Sequence, residues 1–153
     1  MSLLKLKLLL VTFVLSMNTF AGVVPAEIKK FLDKDGIFIS LMDGERMPDE
    51  DGTNCRVTLS PYGDEDSIII KSVAYFTPTA HLEGAKKSVK GDTVIFTLND
   101  SGRRPGGSVG CGNVPQLSYK KTVEVKGSTL LIKQKFHCLF EGSTEIVTGC
   151  KLR

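Results

Sequence analysis

From residue 37 onward, apolar and polar residues alternate along the chain with a period of two. In the segment 93–99, one face of the predicted strand carries Val94, Phe96 and Leu98, and the other carries the polar residues Thr93, Thr97 and Asn99. Alternation of this kind is typical of β-strands that bury one face and expose the other. The pattern predicts strands at 37–42, 55–60, 67–77, 93–99, 117–125, 129–139 and 145–152, with a further strand at about 81–89.

The segments between these strands combine glycine with polar residues, which is the composition of tight turns. Clear examples are Asp43-Gly44, Lys90-Gly91-Asp92 and Lys126-Gly127-Ser128. Short strands joined by consecutive hairpins, with no long crossover, indicate an all-β protein. We therefore expect a small antiparallel barrel of about eight strands, and a β-sandwich is the alternative.

One short helix is predicted before the first strand. Pro25 suits a first helical turn, and Ile28, Phe31 and Leu32 recur at the spacing of one helix face. Gly36 would end this helix. The expected architecture is thus one N-terminal helix followed by strands.

The first 21 residues have the pattern of a secretory signal peptide. Lys5 and Lys7 precede an apolar run at 8–15, and Thr19 and Ala21 are the small residues expected before a cleavage site. The apolar run is too short to cross a bilayer. We expect cleavage after Ala21, a single β domain at 22–153, no membrane-spanning segment, and a secreted or periplasmic location.

All four cysteines follow the predicted cleavage site. An exported chain meets an oxidising compartment, so two disulfides are expected. A zinc site would need closely spaced cysteine pairs, whereas the closest two cysteines here are separated by eleven residues. We expect neither a metal nor a cofactor. The cysteines are Cys55, Cys111, Cys138 and Cys150.

The final hairpin restricts how these cysteines can pair. If Gly142 and Ser143 form a two-residue turn, Cys138 faces Val147 and lies roughly 10 Å from Cys150 along the strands. That separation is too large for a disulfide between Cys138 and Cys150. Two pairings stay open: Cys55 with Cys138 and Cys111 with Cys150, or Cys55 with Cys150 and Cys111 with Cys138.

Residues 100–115, DSGRRPGGSVGCGNVP, form a long glycine-rich connection. The stretch lacks the lysine and the following helix of a nucleotide-binding P-loop. A passive connection clamped at Cys111 is one interpretation. The other is a recognition loop, in which Arg103 and Arg104 bind a carboxylate, phosphate or sulfate group.

Basic residues are concentrated in the second part of the chain, where residues 76–153 contain 12 Lys and Arg against 6 Asp and Glu. On the predicted strands, Lys133 and Lys135 share one face. Together with Lys120 and Lys121, they could extend the surface around the arginines toward an anionic or protein partner. The simpler interpretation is that these lysines serve solubility and protect strand edges.

Other chemistry has weaker support in the sequence. The acidic stretch at 43–54 includes Asp49, Glu50, Asp51 and Asn54 but does not match an EF-hand, so it is read as a solvated turn, with calcium binding as the alternative. The chain has two histidines, His81 and His137, and none of the common hydrolase motifs. No catalytic residue is assigned.

Three functional hypotheses follow from these observations. The first is an exported, non-enzymatic binding domain that uses the disulfide-tethered loop and basic surface on a protein or anionic partner other than nucleic acid; a protease inhibitor is one form of it. The second is a lipocalin-like carrier of a small apolar ligand, although the chain has no tryptophan. The third is a hydrolase whose site is unassigned. The chain is expected to be a monomer.

Overall fold

A computed structural model describes residues 24–48, 51–60, 66–72, 78–99, 111 and 114–153. The predicted signal peptide lies outside the described residues, and so do Arg103, Arg104, Asp49 and Glu50. Among the described residues, none of the helical segments has the length and hydropathy of a transmembrane span.

The described residues fold into one short helix and ten antiparallel strands. The elements are α1 (Ala26–Lys29), β1 (Asp35–Met42), β2 (Glu45–Arg46), β3 (Asn54–Leu59), β4 (Ser67–Ser72), β5 (Thr79–His81), β6 (Lys86–Lys90), β7 (Thr93–Thr97), β8 (Gln116–Lys126), β9 (Thr129–Cys138) and β10 (Gly142–Leu152). The sheet order is β5-β4-β3-β1-β10-β9-β8-β7-β6, and β2 pairs with β1 beside this path.

The sheet curls into a half-barrel. In a flat sheet, the nine strands from β5 to β6 would separate the two edges by about 38 Å. Only residues 82–85 join β5 to β6, however, and such a link reaches at most about 18 Å. The covalent connection therefore requires the curl. The prediction of a small antiparallel all-β fold is confirmed.

The concave face of the sheet holds the core. Along β8 and β9, buried and more exposed residues alternate, as the period-two pattern predicts. The helix contributes Ile28 and Phe31, both fully buried, to the same core. It ends earlier than predicted: Gly36 lies in β1 rather than at the end of the helix.

An ion pair fastens α1 to the edge strand β6. The Lys87 ammonium donates a hydrogen bond to the Glu27 carboxylate. This hydrogen bond is the main reason why the pKa of Glu27 is lowered from its ordinary value of 4.5.

The Glu27–Lys87 pair should make stability fall in acid. A carboxyl whose pKa is lower in the folded chain adds stability above pH 4.5 and loses it as the pH falls through the folded pKa. We expect Glu27→Gln to flatten this dependence by less than about 1 kcal/mol, since Lys87 is half exposed. Urea unfolding of the unaltered protein and of Glu27→Gln, above and below pH 4.5, measures this pH dependence of the free energy of unfolding. Equal acid sensitivity would contradict the prediction.

Two disulfides are present, Cys55–Cys150 and Cys111–Cys138. The structure thus selects one of the two pairings that the sequence left open, and the exclusion of Cys138–Cys150 is confirmed.

The predicted register of the last hairpin is wrong. Cys138 faces Gly142 rather than Val147, so that residues 139–141 form the turn. The reason is backbone geometry: Phe140 and Gly142 both adopt positive φ, at 68° and 82°, which produces a three-residue loop. In the observed register, Cys150 faces Leu130, eight residues and about 26 Å along β9 from Cys138. The separation of Cys138 and Cys150 along the strands is therefore larger than the predicted register implied, and a disulfide between them is excluded more strongly.

Candidate functional site: a cationic groove on β7–β10

A shallow groove of about 560 Å³ lies on the sheet where β7, β8, β9 and β10 meet. Apart from Tyr119, its lining residues belong to the convex face, which points away from the core. They are Thr97, Ser118, Tyr119, Lys120, Lys135, His137 and Ser143.

Strand register brings the polar residues of the groove together. Lys120 of β8 is directly opposite Lys135 of β9. One step toward the last hairpin, His137 is flanked by Ser118 on β8 and Ser143 on β10. Side chains opposite one another in antiparallel strands have Cβ atoms only about 5 Å apart. The two rows therefore form one continuous polar surface.

The two groove lysines form a like-charge pair. Among the residues that the structure describes, neither Lys120 nor Lys135 forms an ion pair, although Glu145 is opposite Lys135 on β10. Lysines directly opposite each other destabilise a sheet. A bound anion would offset this repulsion.

The neighbouring Lys133, on the same face, is neutralised by an ion pair. Its ammonium lies 2.7 Å from the Glu124 carboxylate, and the two side chains are only 29% and 19% exposed. The sequence places Lys133 and Lys135 on one face correctly. Only Lys135, however, lines the groove.

His137 supplies a further polar group. Its Nδ1 atom is 3.1 Å from the Ser143 hydroxyl oxygen. This contact orients the imidazole, and Nε2, which has no hydrogen-bond partner among the described residues, is left for a ligand. The Ser118 and Thr97 hydroxyls add donors, and the lining residues that the structure describes include no carboxylate. The arrangement suits an oxyanion such as phosphate, sulfate or carboxylate.

Lys121 lies on the opposite face of the sheet from the groove. It is 9% exposed and faces Gln134, whose amide nitrogen donates a hydrogen bond of 2.8 Å to the Tyr119 hydroxyl. Of the four lysines that the sequence singles out, Lys120 and Lys135 thus meet in the groove, and Lys121 belongs to the interior.

The segment that holds Arg103 and Arg104 lies outside the described residues, but both of its attachment points are described. It leaves the sheet after β7, which ends at Thr97 in the groove. It returns at Cys111, which is bonded to Cys138, the neighbour of His137 in sequence. The arginines are therefore covalently linked to both sides of the groove.

The groove contains four residues to which the sequence alone assigned no binding role: His137, Ser118, Ser143 and Thr97. A signal for two of them was present, because Gly127-Ser128 forms a two-residue turn between β8 and β9. Counting outward from that turn places Lys120 opposite Lys135 and Ser118 opposite His137. The corresponding count on the last hairpin would have failed, since its turn was misplaced.

A second polar cluster resembles a hydrolase triad in composition. The Ser67 hydroxyl oxygen is 2.8 Å from His81 Nδ1, and His81 Nε2 is 3.3 Å from a Glu83 carboxylate oxygen. Ser67 is only 3% exposed, however, so a substrate cannot reach its hydroxyl. This cluster is a cross-strand contact between β4 and β5.

In the acidic stretch at 43–54, the side-chain oxygens of three described residues accept hydrogen bonds from within the protein. Asp51 accepts a hydrogen bond from the Ser40 amide, and Asp43 accepts one of 2.7 Å from the Glu145 amide. Asn54 accepts one from Arg153. Within the described ranges, no group of three or more His, Cys, Asp or Glu residues is arranged to hold a metal ion.

In comparisons with known proteins, no family model matches the sequence, and no curated sequence is significantly similar to it.

Proposed function

We propose that the chain is an exported, non-enzymatic binding domain that engages an anionic group of its partner through the cationic groove. The observation that carries this proposal is the pair of adjacent lysines, Lys120 and Lys135. They are opposite each other, and neither forms an ion pair with any described residue. A fold gains nothing from this repulsion, whereas an anion-binding site requires the charges.

The lining narrows the class of ligand. Two ammonium groups, one imidazole nitrogen and several hydroxyls can surround the oxygens of a phosphate, sulfate or carboxylate. The groove is shallow, and none of the described residues that line it is acidic; Glu145 is opposite Lys135 on β10 but does not line the groove. Arg103 and Arg104, attached through their segment to both sides of the groove, would add bidentate donors.

Export is part of the proposal. Two disulfides close the fold, and such bonds persist in oxidising compartments rather than in the cytosol. The signal-peptide pattern at 1–21 supports the same location. A secreted or periplasmic domain would meet phosphorylated or sulfated surfaces and acidic proteins.

The carrier hypothesis has less support. A lipocalin-like carrier needs room on the concave face, and α1 packs the fully buried Ile28 and Phe31 into that face. Extraction of the purified protein followed by mass spectrometry would reveal an apolar ligand if one is carried.

Replacing Lys120 and Lys135 together by glutamine should weaken anion binding by about tenfold or more, because each charged hydrogen bond contributes about 1.5 to 3 kcal/mol. The probes are inorganic phosphate and heparin, titrated by NMR and calorimetry at low and high salt. Affinity of the unaltered protein should fall with salt as counterions compete.

The matched control is Lys133→Gln, which removes a lysine from the same strand and face but from outside the groove. It should leave phosphate and heparin affinity within about twofold, since Glu124 already neutralises it. Equal losses in both variants would show that binding follows net charge alone. Arg103→Ala with Arg104→Ala tests the loop: unchanged heparin affinity would remove the loop from the site.

A further inference from the structure

Phe140, at the tip of the β9–β10 hairpin, combines a turn conformation that disfavours bulky side chains with an exposure that the fold does not explain. Its φ is 68°, in the left-handed region, and its side chain is 93% exposed. Bulky residues are outliers in this region, where glycine or asparagine is favoured. A strained and exposed aromatic side chain that packs against nothing points to a contact outside the fold.

The hairpin tip is both apolar and acidic. Phe140 precedes Glu141, which is also exposed, and Leu117 on the adjacent β8 is 57% exposed. The Leu139 amide donates a hydrogen bond of 2.9 Å to the Pro115 carbonyl, which fixes the hairpin against the segment that leads into β8. The hairpin tip is therefore held in place and projects one aromatic ring and one carboxylate into solvent.

The groove is complementary to this tip. Lys120 and Lys135 can receive a carboxylate, and their aliphatic stems, with the His137 ring, offer apolar surface. An aromatic ring beside a lysine ammonium adds a cation–π contact. Phe140 is too exposed to occupy the groove of its own molecule.

We infer that the Phe140–Glu141 tip of one copy docks into the groove of a second copy, so that the chain forms a weak symmetric dimer. This inference rests on the proposed function, because it requires that the groove accept a carboxylate. The sequence alone suggested a monomer, since it reveals neither the exposure of Phe140 nor the groove.

The position of the tip suits two-fold symmetry. His137 and Ser143, both in the groove, lie three residues before and three residues after Phe140. Tip and groove are thus adjacent on each molecule, and a two-fold axis between two copies lets each tip enter the other's groove. Such an exchange closes on itself and does not propagate into a fibre.

Sedimentation equilibrium of the full mature chain, from micromolar to millimolar concentration and at low and high salt, tests this inference. Phe140→Asn should weaken dimerisation by about tenfold or more, as expected for an aromatic anchor. It should also raise the thermal midpoint, because asparagine tolerates positive φ. Opposite effects on dimerisation and stability distinguish a lost contact from a damaged fold.

A charge exchange gives the second arm of the experiment. Glu141→Lys should weaken the dimer, and Glu141→Lys combined with Lys135→Glu should restore it. Val89→Thr is the matched control, because Val89 is 64% exposed on the edge strand β6, which does not line the groove. It should leave the dimer unchanged.

The results separate this inference from the proposed function. A chain that stays monomeric at millimolar concentration, or a charge exchange that fails to restore the dimer, would overturn the inference. Phosphate binding measured on Phe140→Asn tests the groove independently. Binding of the monomer to phosphatidylglycerol vesicles through Phe140, with no dimer, would overturn the inference in favour of a membrane surface.

Discussion

Replacing Cys55 and Cys150 together by alanine is expected to lower the free energy of unfolding by about 4 to 5 kcal/mol. The two cysteines are 95 residues apart, so their bond removes a large part of the freedom of the unfolded chain. Both are also almost fully buried in the core. Many domains of this size have a total stability of only about 5 to 15 kcal/mol, so the variant should be close to unfolding.

Urea unfolding of the oxidised proteins measures this loss, and the second disulfide provides the comparison. Cys111 and Cys138 are 27 residues apart, for which the same chain-entropy argument gives about 3.6 kcal/mol. The Cys55–Cys150 variant should therefore unfold at the lower urea concentration. The reverse order would show that loop entropy does not dominate the stabilisation.

Much of the fold could be predicted from the sequence because one face of most strands is buried. Burial forces Phe96 and Leu98 to alternate with the polar residues Thr97 and Asn99, and this alternation is visible without coordinates. The weakest prediction, a strand at 81–89, proved to be parts of β5 and β6, the two sheet edges. The two-residue strand β2 is too short to carry any pattern and was missed.

The groove depends on strand register, which alternation alone does not determine. Alternation shows that Lys135 and His137 share a face, but only the turns show what lies opposite them. The Gly127-Ser128 turn fixes one side of the groove from sequence. The other side depends on the hairpin at 139–141, where Phe140 occupies a conformation that sequence preferences would assign to glycine.

The exclusion of Lys121 from the groove has the same origin. Lys120 and Lys121 are neighbours in sequence, but adjacent residues of a strand point to opposite faces. Once Lys120 is placed on the convex face, Lys121 must point into the core, where it is 9% exposed. The prediction that both lysines belong to one basic surface used their proximity in sequence and did not take the two-residue alternation of a strand into account.

A glycine, Gly36, lies next to the Cys55–Cys150 disulfide, where a larger residue has no space. Gly36 lies in β1, the strand between β3 and β10, and is opposite Cys55. Strands separated by one other strand are ordinarily about 9.6 Å apart. The Cα atoms of Cys55 and Cys150 are only 5.9 Å apart, so the sheet bends sharply where the disulfide crosses β1.

Gly36→Ala is expected to lower the free energy of unfolding by about 3 kcal/mol, because the added methyl group has no space. A Cβ atom at this position would be 2.7 Å from Cys150 Sγ and 2.6 Å from the Lys151 carbonyl oxygen. Gly91→Ala is the control, since a Cβ there meets nothing within 4 Å and only its φ of 60° is strained. The Gly91→Ala variant should lose about 1 kcal/mol.

A second experiment asks whether the disulfide itself excludes the methyl group. In a chain without the Cys55–Cys150 bond, Gly36→Ala should cost about 1 kcal/mol less than in the intact protein, as urea unfolding of the four proteins, with and without each change, would show. An unchanged cost would mean that the Lys151 backbone, and not the disulfide, excludes a side chain at this bend.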